Sequence, residues 1–300
     1  METKPVLTEL RPRLEILGAA LLFSTGGAAI KACTLNHWQV AGFRSLIAAA
    51  LIFLAMRSAR TGWSMRSVIV GVMYGATMVL FVVANKMTTS ANAIFLQDTA
   101  PLYVLALSPL VLSEPIRRRD FAVIGLMIVG MALFFFSGES AQLTAPQPTL
   151  GKTLAIVSGL TWAGTILGLR LLRKDNAKGN AAAPAIVIGN LLAFAACASF
   201  AFPVANMTTQ NALLVGYLGV FQIALAYILL TRAVAHVPAL EAAVILLIEP
   251  VLNPIWTYAF QRELPHTWSI VGGVIILAST TLKSWLDTRA SSRQRRGATP

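Results

Sequence analysis

The chain has 300 residues, of which 56% are apolar and 12% are charged, and its formal net charge is +12. Soluble domains carry about 25% charged residues, so this composition, with a mean hydropathy of +0.70, leaves too little polar surface to cover a water-exposed globule. The basic excess would suit a nucleic-acid-binding protein, but in so apolar a chain we expect a membrane protein that binds no nucleic acid. Cys33 and Cys197 lie in separate apolar runs, in no spacing typical of a metal site or a disulfide framework.

Ten apolar runs are each long enough to cross a hydrocarbon core of about 30 Å as a helix. They are continuous and rich in Leu, Ala, Val, Ile and Gly, whereas membrane β-strands alternate in hydrophobicity over about ten residues. The sequence therefore predicts an all-α integral membrane protein with ten transmembrane helices. In chain order the predicted spans are 14–32, 38–56, 67–85, 92–112, 121–137, 151–172, 183–202, 212–231, 239–260 and 267–285.

Lys and Arg are distributed unequally between the two sides of these spans. If the N-terminus is cytoplasmic, 19 basic residues fall in cytoplasmic segments and four fall in outer segments, while Arg44 lies within a span. Because basic flanks are retained in the cytoplasm, both termini are predicted to be cytoplasmic. The four outer basic residues are Lys31, Lys86, Lys152 and Arg262.

The fourth and ninth spans carry matching residues. A shift of 149 positions places Pro101 on Pro250 and Glu114 on Glu263. A repeat of five spans inverts the second copy, which gives the two halves a pseudo-twofold axis in the membrane plane, as in many secondary transporters. The sequence therefore predicts two five-helix inverted-topology repeats. The predicted divisions are a cytoplasmic N-terminal segment 1–13, a first repeat 14–137, an external linker 138–150, a second repeat 151–286 and a basic cytoplasmic tail 287–300.

This layout resembles the drug/metabolite transporter superfamily, and within it the EamA family. The resemblance rests on the five-plus-five arrangement in about 300 residues, on the glutamates that follow the Pro101 and Pro250 helices, and on the Gly-rich spans after them. It implies a secondary transporter of the bacterial inner membrane, most similar to exporters of aromatic amino acids. The substrates implied are phenylalanine, tyrosine, tryptophan and other small neutral amino acids. The resemblance further implies a protein that works as a monomer in the lipid bilayer by alternating access.

Mid-depth aromatic and polar residues are candidates for a substrate site, because spans 1, 3, 4, 6, 8 and 9 form repeat-related pairs that would line a cavity between the halves. Aromatic rings would stack on an aromatic substrate, and polar side chains would meet its polar end. The alternative is that aromatics at helical spacing belong to the core or face lipid. The candidate substrate-binding and translocation residues are Phe23, Tyr74, Asn85, Tyr103, Trp162, Gln222, Tyr227 and Glu249.

Three prolines in the fourth and ninth spans predict helix kinks, because proline lacks a backbone donor and crowds the carbonyl four residues earlier. Pro101, Pro250 and Pro254 would each free a carbonyl that, within a membrane, needs a partner or a wet cavity. They are therefore candidates for a hinge beside the site. The alternative is a set of static kinks that helix packing satisfies.

Charged side chains in hydrocarbon are costly and are usually paired or functional. Arg44 and Asp98 lie at a similar depth from the outer ends of their spans, which predicts an intramembrane ion pair that locks two helices. Glu249 lies near the midplane with no basic residue at a matching depth. It is a candidate for proton coupling or for binding a substrate ammonium group, and the alternative is a protonated carboxyl bonded to the backbone at the Pro250 break.

Motifs for catalysis and cofactor binding are absent from the sequence. The chain has no H-E-x-x-H, no G-x-S-x-G and no glycine-rich phosphate loop, and its three histidines lie far apart. We therefore expect neither an enzyme nor a bound metal or other cofactor. The alternatives within transport are an exporter of other small metabolites or drugs and a channel-like facilitator, although no filter-like motif or ring of like charges supports a channel.

Overall fold

A computed structural model describes residues 6–136, 140–175, 182–205, 207–234 and 236–297, and over these residues the chain is almost entirely helical. A 3-10 turn covers Arg57–Arg60, and a π-helical segment, Leu218–Leu225, joins α10 to α11. The predicted all-α architecture is confirmed. The helices are α1 (Val6–Ser24), α2 (Gly26–Ala32), α3 (His37–Ala55), α4 (Met65–Met87), α5 (Ser90–Gln97), α6 (Ala100–Val111), α7 (Arg118–Leu133), α8 (Pro148–Asp175), α9 (Ala182–Ala201), α10 (Thr209–Tyr217), α11 (Ala226–Ala233), α12 (Ala239–Leu246), α13 (Ile248–Gln261) and α14 (Thr267–Gly297).

Nine helical stretches within the described residues are long and apolar enough to cross a membrane, and a shorter apolar stretch, Asp120–Leu133, lies in the predicted fifth span. Its predicted last residue, 137, lies outside the described residues, as do 1–5, 138–139 and 298–300 of the predicted terminal segments and linker. The two polar terminal segments are not irregular loops. Both are helical where described, because α1 begins at Val6 and α14 continues to Gly297.

Four of the spans are interrupted in mid-membrane. The first breaks at Thr25, between α1 and α2, and the eighth contains the π-helical segment. The fourth breaks after Gln97 and the ninth at Leu247, directly before the helical turns that contain Pro101 and Pro250. The missing proline donor accounts for both breaks, and the role of Pro101 and Pro250 as hinges stays a prediction. Pro254 differs, because α13 continues through it.

Small residues allow the helices around α4 to approach closely. A Cβ atom added at Gly75 would lie 2.6 Å from the carbonyl oxygen of Gly189, and one added at Gly189 would lie 2.6 Å from the carbonyl oxygen of Gly71. Real Cβ atoms do not tolerate such distances, so α4 and α9 cross in near backbone contact, as small-residue motifs permit in membranes. Buried Tyr74 and Asn190 lie beside this crossing.

The bundle has two polar faces. The terminal face carries the start of α1 and the end of α14, and on it Arg13 pairs with Glu241 at 2.5 Å and Lys283 pairs with Asp120 at 3.2 Å. The opposite face carries the turns that begin near residues 33, 88, 140, 202 and 262, and on it Lys31 contacts Glu263. The candidate site lies between these two faces.

Candidate functional site

A cavity of about 840 Å³ lies between the two halves, with lining residues from both. Its deep end reaches Asp98 and Glu249 at the breaks of the fourth and ninth spans, and its mouth reaches the terminal face. Both polar and apolar groups line it, as in small-molecule sites generally. The charged residues at the mouth are Glu114, Arg117, Asp120, Arg170, Lys283 and Asp287.

Aromatic side chains form one wall of the cavity. Phe23, Trp162 and Tyr227 line it, and the Phe23 and Tyr227 rings meet edge to face with centroids 5.2 Å apart. Tyr74 packs behind Tyr227, with centroids 5.6 Å apart, and is 1% exposed. It therefore supports the wall and does not reach the cavity, although the sequence places it at the same depth.

Tyr103 is also outside the set of residues that line the cavity. It is part of α6 and is half-buried, between lining residues Pro101 and Val104. Consecutive residues of a helix point about 100° apart, so neighbours in sequence divide between the cavity and the surrounding helices. Direct substrate binding by Tyr103 stays a prediction that this conformation does not favour.

Arg44 is the largest fully buried polar side chain among the described residues, at 1% exposure. Its Nη1 donates to Oε1 of Gln222 at 3.3 Å, and its Nη2 donates to the carbonyl of Met78 at 3.0 Å. The predicted ion pair with Asp98 does not form in this conformation: both hydrogen bonds of the guanidinium go to neutral groups, and Oδ2 of Asp98 has no hydrogen-bond partner. Similar depth did not make the two residues partners, since depth does not determine which way a side chain points around its helix.

Asp98 and Glu249 place two carboxyl groups on the cavity. Asp98 caps the C-terminus of α5, where its backbone N–H donates to the carbonyl of Ile94, and Glu249 lies in the first turn of α13. The two carboxyls are close enough to interact electrostatically. The structure records no hydrogen bond between the Glu249 carboxyl and a described residue, so this conformation does not favour the backbone-capping alternative, and the role of Glu249 stays a prediction.

The opposite face is closed by a buried ion pair. Nζ of Lys31 lies 3.1 Å from Oε2 of Glu263, with side-chain exposures of 3% and 2%. Lys31 also donates to the carbonyl of Thr88 at 2.7 Å and to that of Thr144, and the backbone N–H of Ser90 donates to Oε1 of Glu263 at 2.5 Å. This ion pair joins α2, the start of α5, the 140–147 turn and the end of α13.

A polar cluster lies directly beneath that ion pair. Nδ2 of Asn85 donates to Oγ of Ser90 at 3.0 Å, and Ser90 donates to Oδ1 of Asn253 at 2.6 Å. The backbone of Gly27 passes so close that a Cβ atom there would lie 1.9 Å from Oγ of Ser90. Asn85 therefore belongs to the closed side of the protein and not to the cavity wall, contrary to the sequence prediction. We call Lys31, Glu263 and this cluster the opposite-face seal.

Sequence reasoning missed the seal and the orientation of Gln222. Lys31 counts in the sequence as an outer basic residue, and Glu263 as a repeat marker that matches Glu114. The available signal was that Lys31 and Glu263 are both charged residues beside apolar spans on the same predicted side. Gln222 is predicted at mid-depth, but it contacts Arg44 from the π-helical segment. No sequence pattern predicts that segment.

Two matching sets of membrane-spanning helices around a central cavity define a multi-pass membrane transporter with a small-molecule substrate. The EamA-like transporter family matches residues 14–136 and 149–285, and the chain belongs to this family. Its matches include an "Uncharacterized transporter" of Archaeoglobus fulgidus, 32% identical over 66% of this chain and 68% of the relative. They also include the "Pseudopaline exporter CntI" of Pseudomonas aeruginosa, 28% identical over 87% and 91%. A crystal structure of 16% identity has a TM-score of 0.60, covers 92% of this chain and 97% of its own, and shows the shared fold.

Proposed function

We propose that this transporter exports aromatic and other small neutral amino acids across a bacterial inner membrane by alternating access. The observation that carries the proposal is an asymmetry: the cavity extends to charged residues of the terminal face, whereas the opposite face is closed by the opposite-face seal. When two inverted repeats exchange conformations, a cavity that is open to one side of the membrane becomes open to the other side. Each exchange would carry the substrate bound in the cavity across the membrane.

The direction of transport follows from the charge distribution. The segments predicted to be cytoplasmic carry 19 of the 24 basic residues, and cationic segments are retained in the cytoplasm. The terminal face is therefore assigned to the cytoplasm, with both chain ends, and the structure corresponds to the inward-facing state. In that state the cavity loads from the cytoplasm, which suits an exporter.

The substrate class is argued from the cavity wall. Phe23, Trp162 and Tyr227 present aromatic surface that an aromatic ring would stack against. A volume of about 840 Å³ lies within the roughly 300–1,000 Å³ usual for small-molecule sites, so an amino acid fits with water or a larger substrate fits alone. Pro101 and Pro250, at the two breaks, are the proposed hinges that let the wall move.

Proteoliposomes test the proposal directly. Vesicles that contain the purified protein and are preloaded with unlabelled phenylalanine should take up labelled phenylalanine by counterflow, and tyrosine and tryptophan should compete. Saturable counterflow identifies a carrier, whereas a channel-like facilitator shows none. Uptake no greater than in protein-free vesicles would overturn the amino-acid assignment.

The same vesicles address energy coupling through Glu249. Imposing a pH gradient on vesicles with the wild-type protein and on vesicles with Glu249→Gln separates its two proposed roles. If Glu249 carries a proton, the substitution abolishes the response to the gradient. If it binds the substrate ammonium group, the substitution raises KM and any gradient response stays.

A second candidate is export of other small metabolites. It is favoured by the likeness to the pseudopaline exporter over nearly the whole of both chains. Competition against phenylalanine counterflow by a panel of larger polar metabolites distinguishes the two candidates. A metabolite that competes more strongly than every aromatic amino acid would replace them as the proposed substrate.

A further inference from the structure

The guanidinium of Arg44 is a buried cation without a resident anion. A guanidinium has five N–H donors, and the structure gives acceptors to two of them, on Gln222 and Met78. Its Nε has no acceptor, and no described carboxylate pairs with it. Because Arg stays charged in proteins and an isolated charge in a membrane interior is costly, this site lacks the anion that would balance it.

Neutral groups hold this cation at the edge of the cavity. Arg44 and Gln222 both line the cavity, and Gln222 is 7% exposed. The amide of Gln222 is fixed from behind, since a Cβ atom added at Gly26 would lie 2.9 Å from its Nε2. The π-helical segment that carries Gln222 is a local distortion of a kind that is frequent at functional sites. The guanidinium is therefore positioned before any ligand arrives, which lowers the entropic cost of binding one.

Acidic side chains line the same cavity. Asp98 and Glu249 carry the two carboxyls at the helix breaks, and Oδ2 of Asp98 is buried with no hydrogen-bond partner. Tyr227, on the aromatic wall, is within electrostatic reach of both Arg44 and Glu249. One cavity thus offers a cation, aromatic surface and two carboxyls.

We propose that Arg44 binds the carboxylate of the substrate while Asp98 and Glu249 receive its ammonium group, so that the cavity selects zwitterions over the corresponding amines and acids. The planar fork of a guanidinium matches a carboxylate in a two-bond geometry. The inference rests on the proposed function, since it names the groups that divide an amino acid between them. It also assigns Arg44 a ligand-binding role in place of the structural ion pair with Asp98 that its sequence position predicts.

Three probes with the same benzyl group test the assignment. Phenylalanine carries both charges, phenethylamine lacks the carboxylate, and 3-phenylpropanoate lacks the ammonium group. Binding is measured on the purified protein in detergent by tryptophan fluorescence and by thermal stabilisation. Wild-type protein should bind phenylalanine at least roughly tenfold more tightly than either analogue, because each charge-assisted contact is worth that much or more.

Arg44→Gln should remove the advantage of phenylalanine over phenethylamine, while phenethylamine binds at least as tightly as to the wild type. The retained phenethylamine binding shows that the variant is folded, and Arg44→Lys should restore part of the preference. Gln222→Glu supplies a second test, because it places a carboxylate oxygen where Oε1 lies 3.3 Å from Nη1 of Arg44. This resident anion should weaken phenylalanine and 3-phenylpropanoate roughly tenfold without weakening phenethylamine.

The outcomes separate this inference from the proposed function. If Arg44→Gln weakens all three probes equally, or Gln222→Glu discriminates between none of them, Arg44 is a brace between α3 and α4 and the inference is overturned. If the wild type transports no phenylalanine but binds 3-phenylpropanoate through Arg44, the proposed substrate is overturned and the anion site is supported. If the wild type binds neither carboxylate probe, the anion site is overturned.

Discussion

Replacing Glu263 by Gln is expected to open the opposite-face seal. The substitution keeps an oxygen to accept from the backbone N–H of Ser90, which lies 2.5 Å from Oε1, and removes the charge that faces Lys31 at 3.1 Å. Loss of one partner from a buried ion pair costs about 3–5 kcal/mol, because the other charge is left uncompensated. In the proposed outward-open state water would reach Lys31, so this cost would fall on the sealed state.

At about 1.4 kcal/mol for each factor of ten, that cost shifts the ratio of open to sealed protein by roughly a hundredfold to a few thousandfold. Cys33, which is 1% exposed and donates from its thiol towards Asn211 at 3.5 Å, is a native reporter beside the seal. Desolvation by burial raises the pKa of the Cys33 thiol above its ordinary value. At neutral pH the sealed protein therefore holds little reactive thiolate there, and opening restores it by admitting water.

The assay is labelling of Cys33 by a membrane-impermeant maleimide in a Cys197→Ala background. Glu263→Gln should label at least tenfold faster than the parent at neutral pH, and the difference should shrink as the pH rises towards the thiol's raised pKa. Lys31→Met should act in the same direction. The double variant, which buries no charge, should label more slowly than either single variant.

Glu15→Gln is the matched control, because it breaks the i,i+4 pair with Arg11, whose side chain is 79% exposed. Exposed pairs contribute little, so this variant should label at the parental rate. Single variants at Lys31 and Glu263 that label no faster than the parent, or a double variant as fast as the singles, would refute the assignment of this ion pair to a gate.

Three further variants test the wall, the helix crossing and the hinge. Trp162→Ala should raise the KM for phenylalanine counterflow several-fold by removing ring contact. Trp268→Ala, which changes a side chain that is 47% exposed, should leave the KM unchanged. Equal effects of the two substitutions would remove Trp162 from the site. Gly189→Leu should lower the melting temperature by several degrees, since its Cβ would lie 2.6 Å from a backbone atom. Gly216→Leu is the control and should not lower it, because no atom lies within 4 Å of the added Cβ. A stable Gly189→Leu variant would contradict the close crossing of α4 and α9. Pro101→Ala should slow counterflow while phenylalanine binding persists if the break is a hinge, and unchanged rates would make it a static kink.

The sequence by itself determined the membrane architecture. Each apolar run reports its own preference for hydrocarbon, and the matches between Pro101 and Pro250 and between Glu114 and Glu263 report the repeat. These signals are local or depend on spacing along the chain, so no knowledge of packing is needed to read them. They led to the fold and to the family that the comparison confirms.

Depth along each span was also readable, and Phe23, Trp162, Gln222 and Glu249, all predicted near mid-depth, line one cavity, although their role in transport stays a prediction. Depth does not determine which side of a helix faces which neighbour. For that reason Tyr74, at a suitable depth, packs behind the wall.

Only the tertiary structure decided which polar groups meet. Arg44 contacts Gln222 through a distorted helix and leaves Asp98 unpaired, and Lys31 meets a glutamate more than 200 residues away in the sequence. Asn85 joins the seal because α4, α5 and α13 converge there. Side-chain partners depend on the rotation and crossing of packed helices, which arise from the fit of many small residues at once. Sequence position therefore gave each residue its depth, and packing gave it its partner.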